Sequence, residues 1–513
     1  MSRYFGKKNL LFCICFVTLL GASCNKKLDV DSTSLATEKT EWKSIDDTRS
    51  NLIGVYALFR AALANNNDFW LWGELRGGDF KSNTRSDLSA VISGDLNAAY
   101  ETLNDMKDWR RFYAVVNAAS LFIERSGEAL VDPRYTTLNH EVDVAQARSL
   151  RAWAYFMMVR IWGDVPLITS SHDGDFVNMP RTSQDKVLSF CEDELNKAAQ
   201  VLPFQYGVAD DPIFPGNYYT YNQERYQNTL ISRVAVYALL AHVAAWKGDY
   251  FSVDTYSKFA IDNMALANIS YVNTDNLTSS SGIFYGRGDY NQMLGFNFVY
   301  GHGETGTSGE GHIESLTLAS PLVKKQKPDI FIPKDSIGQI FNDPKDERFG
   351  FDTITGLPIT SYFTDYNGEL PIFSKIKVLG DGTSDGDFSV FSSAIIFSRI
   401  EELTLLRAEA LTVEKKTNEA VDLLNIIRKN RGETLIKTNE DVDLLFEVFA
   451  ERRRELLGEG WRWYDLVRYN RLRRSDVSFN KLLDEGGIYW PISQSVIDAN
   501  PLITQNSYWD SSK

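Results

Sequence analysis

Two stretches of this chain combine flat aromatic rings with planar polar groups, the residue types that recognise hydroxyl-rich molecules. Near the amino end, Asp68-Phe69-Trp70-Leu71-Trp72 runs on to Arg76, Asp79 and Asn83. Further along, Phe284, Tyr285, Arg287, Asp289, Tyr290 and Asn291 lie among Gly282, Gly286 and Gly288. Ring faces stack on the apolar faces of sugars, while Arg, Asp and Asn exchange hydrogen bonds with hydroxyls. Trp70, Trp72, Arg76, Asp79, Asn83, Tyr285, Arg287, Asp289, Tyr290 and Asn291 are therefore the candidate ligand contacts. The same residues also have a structural use: Trp70 and Trp72 alternate with apolar neighbours as core residues do, and Arg76 with Asp79 can form an ion pair.

Other patterns lack the context their chemistry requires. Gly301-His302-Gly303-Glu304-Thr305-Gly306 has dinucleotide-loop spacing, but more loop follows it instead of a helix, and no lysine completes a phosphate cradle. Glu310 stands where a nucleophile elbow around Ser308 needs glycine. His302, Glu304, Glu310, His312 and Glu314 read as a flexible polar loop, without the helical spacing or cysteines of a zinc site. Asp381, Asp385 and Gly386 match only part of a calcium loop. Glu451-Arg452-Arg453-Arg454-Glu455 has the spacing of ion pairs along one helix rather than of a catalytic cluster. Catalytic carboxylates of a glycoside hydrolase cannot be picked from 68 acidic residues by sequence. The expectation is a non-enzymatic protein with no cofactor and no metal.

The amino-terminal residues set the compartment. Arg3, Lys7 and Lys8 precede an apolar run from Leu10 to Leu20, then Gly21-Ala22-Ser23-Cys24. This is the pattern of a secretory signal over residues 1–23, and its apolar run is shorter than the ~20 residues a membrane span needs. The small residues before Cys24 are similar to a lipobox, which makes Cys24 the candidate lipidation site. Acyl chains contribute about 0.8 kcal/mol per buried methylene, enough to anchor the chain. Beyond Cys24 one cysteine remains, Cys191, in a helical stretch that suits a buried small apolar group. Loss of the three basic leader residues takes the net charge from −14 to −17, which disfavours nucleic acid and acidic polysaccharides as partners.

The elements that would carry these residues are mainly helical. Apolar residues at helical spacing predict helices at 44–63, 108–124, 139–162, 183–201, 229–247, 251–264, 398–413, 418–429 and 441–457. Ser44 and Asp47 offer a capping box, and Gly163-Asp164 and Gly248-Asp249 end two helices alike. Paired helices with small alanines, such as Ala408 and Ala410, resemble divergent tetratricopeptide units. Between Ala265 and Ala394 glycine, asparagine, serine, proline and aromatics replace that periodicity, and Pro203 to Asn228 is a smaller insertion of the same kind. The division expected is a scaffold over 24–264 and 395–513, with a loop-rich, short-strand ligand-binding subdomain at 265–394.

Several blocks carry a family resemblance. Ala147-Arg148-Ser149-Leu150-Arg151-Ala152-Trp153-Ala154-Tyr155-Phe156 leads to Arg160-Ile161-Trp162-Gly163-Asp164-Val165-Pro166-Leu167. Glu451 to Leu456 is followed by Gly460-Trp461-Arg462-Trp463-Tyr464-Asp465-Leu466, then by Tyr489-Trp490-Pro491-Ile492-Ser493 and Asn500-Pro501. Together with Cys24-Asn25-Lys26-Lys27-Leu28, these blocks resemble SusD/RagB proteins from Cys24 to Asn506, most weakly across 265–394. The resemblance implies a tetratricopeptide-like scaffold with a variable loop subdomain. It also implies an outer-membrane lipoprotein facing the exterior, with a SusC-like TonB-dependent transporter as partner and an oligosaccharide or peptide as ligand. Trp461 and Trp463 are expected as packing anchors. A surface lipoprotein glycoside hydrolase is the alternative from another class.

Overall fold

The structure is a computed structural model that describes residues 41–510 apart from 173–176, 222, 227–228, 287–290, 300–310, 353, 380–389 and 439–440. Cys24 and the leader lie outside the described residues, as do His302, Glu304, Glu310, Asp381 and Asp385. Among the described residues ten helices have twelve residues or more. In chain order they are α1 (Ile45–Ala64), α2 (Arg110–Arg125), α3 (Thr137–Trp162), α4 (Gln184–Val201), α5 (Arg233–Lys247), α6 (Tyr250–Asp262), α7 (Ile400–Val413), α8 (Thr417–Asn430), α9 (Leu444–Glu455) and α10 (Arg462–Arg473). None of the described helices is long and apolar enough to cross a membrane.

Local chemistry explains where the helices begin and end. Ser44 accepts from the Asp47 N–H and Asp47 accepts from the Ser44 N–H, the reciprocal cap expected from sequence. Thr136 and Asn139 repeat this arrangement before α3. Gly248 ends α5 at φ +84, a left-handed conformation that glycine adopts without steric cost, and Asp249 then caps α6.

Each helix from α1 to α8 packs on the next in the chain, and α9 returns onto α7. This is the tetratricopeptide-like stack, in which every unit buries its apolar stripe against its neighbours. The helix α3 is its centre: from Ser149 to Trp162 every side chain is buried. A helix that is apolar on one side only would sit at the surface; this one is enclosed.

The insertion carries short helices and strands. They are β1 (Gln292–Phe296), β2 (Gly350–Phe351), β3 (Pro358–Ile359), β4 (Phe363–Thr364), β5 (Ile372–Phe373) and β6 (Ile395–Arg399), paired antiparallel as β1–β6, β2–β3 and β4–β5. The outer strands β1 and β6 tie the start of this region to the strand that leads into α7. Its interior is continuous with the helices. The Trp153 ring on α3 stacks on Phe296 of β1 at 5.3 Å and meets Phe397 of β6 edge-on at 5.1 Å. Two strands and the central helix therefore share one aromatic cluster, which fixes the insertion to the frame.

Candidate ligand-binding face

The helix α1 ends in a turn built by two asparagines in left-handed conformation, Asn66 at φ +47 and Asn67 at φ +64. Asparagine tolerates this region better than other residues with a Cβ. The turn points the buried Asn67 amide at Gly311, whose N–H donates to Asn67 Oδ1 at 2.6 Å. Trp70, one helical step on, donates its indole N–H to the Gly311 carbonyl at 3.3 Å. Both backbone groups of Gly311 are thus held. A Cβ there would come within 2.8 Å of Ala64, so glycine is needed for this close approach. Gly311 is the point at which the chain returns from segment 300–310.

The next residues hold a second root. His312 is buried, and its Nδ1 lies 3.0 Å from the Ser393 carbonyl; burial lowers its imidazole to about 4, so it is neutral. Glu314 is also buried and accepts from the Val378 N–H at 3.1 Å and the Ser393 hydroxyl at 2.6 Å; burial raises its carboxyl to about 7. Val378 and Ser393 flank segment 380–389, whose base is closed by a bridge between Leu379 and Phe391. A third root joins them: Tyr285 bridges to Ser393 just before segment 287–290, and Arg60 of α1 donates to the Asn297 carbonyl at 3.1 Å and lies over the Phe298 ring. The residues that flank 287–290, 300–310 and 380–389 therefore meet around one set of polar anchors near the end of α1. His312 and Glu314 correct the expectation of a flexible polar loop, because both are enclosed and hydrogen-bonded within the protein.

The sequence candidates divide around this face. Tyr285 is on it and 37% exposed. Asn291 accepts from Ser270 through both the N–H, at 2.6 Å, and the hydroxyl, at 2.9 Å. Arg287, Asp289 and Tyr290 lie outside the described residues. Asn83 is exposed on a turn whose neighbour Lys81 bridges to Phe331, and residues 329–330 bond in turn to Leu316 beside the Gly311 root.

The other amino-terminal candidates are enclosed. Trp70 is 1% exposed and serves as the anchor just described. Trp72 lies between Phe112 and Trp162 and donates to the Met106 carbonyl at 3.2 Å. Arg76 stacks on the Trp463 ring at 3.9 Å and donates to the carbonyls of Gly487 and Ile488. Asp79 is paired with Arg453 and Arg462. Arg76 and Asp79 thus face the carboxy-terminal part of the chain, and Trp72 the interior between α2 and α3, rather than a surface that a ligand reaches. The physical reason is that the side chains able to stack on a sugar or bind its hydroxyls are the same ones that bury well when an internal partner is supplied.

The Glu-Arg block of α9 differs from expectation in the same way. Only Arg454 with Glu451 pairs along the helix. Arg452 bonds across to Glu402 and Asp465, while Glu455 receives Arg348, Arg399 and Arg431, all of them buried. Burial opposes ionisation of Glu455, but Arg431 and Arg399 outweigh it and hold the carboxyl well below its ordinary range. Burial likewise opposes Glu402, yet His242 and Arg452 bring it down to about 2. Trp461 stacks on His242 at 4.6 Å and Trp463 donates to the Ile488 carbonyl, so both are packing anchors. Cys191 is buried, its thiol 3.3 Å from the Ala152 carbonyl.

A model of the SusD family matches residues 384–482, and one described as starch-binding associating with outer membrane matches 80–245. A SusD superfamily protein of known crystal structure from Bacteroides thetaiotaomicron is 46% identical to the chain. The match covers 92% of this chain and 100% of that one, with a TM-score of 0.83. The chain belongs to the SusD family. A SusD-like protein of Formosa agariphila is 26% identical across 97% of this chain and 99% of its own length. A second Bacteroides thetaiotaomicron structure, a SusD homolog, shares the fold at a TM-score of 0.73 with 21% identity, over 92% of this chain and 100% of the other. The two family models fall on either side of most of the insertion. Tyr285, Gly311 and Val378 lie between the two matched ranges.

Proposed function

We propose that this protein is an outer-membrane surface lipoprotein that captures an extracellular oligosaccharide on the loop-root face and passes it to a SusC-like TonB-dependent transporter. The observation that carries this reading is the convergence of three segments on anchors at the end of α1, with the Tyr285 ring exposed beside them. Binding sites are commonly built from loops held by a rigid frame. In this reading Tyr285 stacks on a sugar ring, and Asn83, Asn291, Arg287, Asp289 and Tyr290 supply polar contacts. Trp70 acts one step removed, by fixing the root at Gly311. Cys24 carries the lipid. The protein binds without transforming its ligand, in keeping with the buried acidic groups of α9 and their arginines being engaged with one another.

Isothermal titration of the mature protein with neutral glycans, acidic glycans and peptides tests the ligand class. Binding of a neutral glycan, weakened about fivefold by Tyr285→Ala through loss of ~1 kcal/mol of ring contact, is the expected result. Heat with peptides alone would move the protein to a peptide-binding role, and release of shorter sugars would make it a hydrolase. Co-purification of a barrel transporter, and release of a Cys24→Ser variant from the membrane fraction, test the partner and the anchor.

A further inference from the structure

Where α3 gives way to α4, the carboxy-terminal segment folds back and leaves a groove of about 440 Å³. It shares no residue with the loop-root face. Its volume is within the ~300–1,000 Å³ of typical ligand clefts. The walls include Asp164, Arg181, Gln184, Tyr489, Asn506 and Asp510, and past Gln184 and Tyr489 the groove opens into an adjoining hollow of about 340 Å³.

The groove is held in shape from several directions. Gly163, at φ +77, leaves the Tyr489 ring room to lie against the backbone, where a Cβ would be 3.2 Å from the ring. The Tyr489 hydroxyl donates to Gln184 Oε1 at 2.7 Å. Asp164 Oδ1 accepts from the Gln184 N–H at 2.8 Å, and Arg181 donates to Asn506 Oδ1 at 2.5 Å. Asn506 is pinned in turn by the carbonyls of Trp162 and Trp490. Other groups have no hydrogen-bond partner among the described residues, namely Asp164 Oδ2 as acceptor and Gln184 Nε2 with the rest of the Arg181 guanidinium as donors, although Asp164 and Arg181 attract each other.

This set of groups narrows the ligand. An anion would meet Asp164 and Asp510 and a cation would meet Arg181, whereas a neutral molecule rich in hydroxyls uses both kinds of group, since each hydroxyl donates and accepts. In the adjoining hollow Arg471 and Arg474 are balanced by Asp484 and Glu485. No aliphatic side chain lines the larger hollow, so it offers little to a lipid chain or an apolar peptide side chain. We infer that this groove is a second saccharide site, which takes a short neutral oligosaccharide against the Tyr489 ring.

The inference does not rest on the loop-root reading, and one set of titrations separates them. Maltotriose, cellotriose and xylotriose are titrated into the mature protein and into Tyr285→Ala, Gln184→Glu and Arg181→Ala variants. Gln184→Glu keeps the acceptor for Tyr489 but removes the amide donor, so folding is preserved while the site changes. The expected result is binding that survives Tyr285→Ala and falls about tenfold in both groove variants, the loss of one hydrogen bond to a charged or amide donor. Binding unaltered by Gln184→Glu and Arg181→Ala, or no binding of any of the three sugars to the Tyr285→Ala protein, would overturn it. Loss of all binding on Tyr285→Ala alone supports the loop-root face while removing the groove.

Discussion

Replacing Glu455 by glutamine changes one atom and removes one charge at the most enclosed point of the ion network. The carboxylate receives Arg399 at 2.8 Å and Arg431 at 2.7 Å on one oxygen, and Arg348 at 3.0 Å and Arg431 at 2.8 Å on the other. Each unit pair at such range is worth ~4 kcal/mol at 4 Å in the effective dielectric of a protein. Most of that gain is offset by the cost of burying the carboxylate, which the amide avoids. Two penalties remain. Three guanidinium groups lose their shared counter-charge, and whichever way the amide turns, its NH2 faces an arginine donor. Breaking a buried pair of this kind costs about 3–5 kcal/mol, a large share of the ~5–15 kcal/mol that holds a domain folded. Urea unfolding of Glu455→Gln against the parent measures it, with Lys258→Ala, which breaks an exposed pair with Asp262, as the control that leaves the midpoint unchanged. A loss below about 1 kcal/mol would refute the argument, since that is the range of exposed pairs.

Trp70→Phe keeps the ring in the core and removes the bond to Gly311. Hydrogen–deuterium exchange at 311–315 should rise, with ~1 kcal/mol lost, while exchange in α3 stays unchanged. Burial raises the Asp143 carboxyl to about 7, against the hydrogen bonds of Tyr218 and Tyr219 that lower it. A group raised in the folded state stabilises most below its ordinary value, and that contribution is lost as pH climbs through 7. The urea midpoint should therefore be higher at pH 5 than at pH 8, by less in Asp143→Asn. Gly73→Ala would place a Cβ 1.9 Å from the Gly460 carbonyl oxygen, and urea unfolding should show a loss of at least about 3 kcal/mol.

The helical frame was largely legible because its signal is local. The residues at 139–162 show their period and their Gly163 stop in sequence, and the structure places α3 at Thr137–Trp162. Ser44 and Asp47 are three residues apart, so their cap could be read directly. The helix at Arg462–Arg473 is not among those predicted from apolar spacing, because Arg462, Asp465 and Arg468 face inward as members of ion pairs and interrupt an apolar stripe. Pairings such as Asp79 with Arg453 span 374 positions, and nothing in residue spacing connects them. Of the candidate site, the residue types could be read in the sequence but their exposure could not. Tyr285 is exposed on the face where the segments converge, but Trp72, Arg76 and Asp79 were assigned by residue type, and type cannot tell a solvent-facing ring from an enclosed one. The anchors Asn67, Gly311 and Ser393 carried no signal beyond ordinary turn residues.

Glu74 has a further consequence for how the chain reaches its final shape. Its two carboxylate oxygens receive the N–H groups of Gly458 and Gly460, at 3.0 and 2.9 Å, next to the Gly73 contact with the Gly460 carbonyl. A ribosome delivers Glu74 nearly four hundred residues before those glycines. Until they arrive, water solvates the Glu74 carboxylate, and its burial waits on the glycines that replace that water. The molecule closes like a clasp, whose two halves lie at opposite ends of the chain.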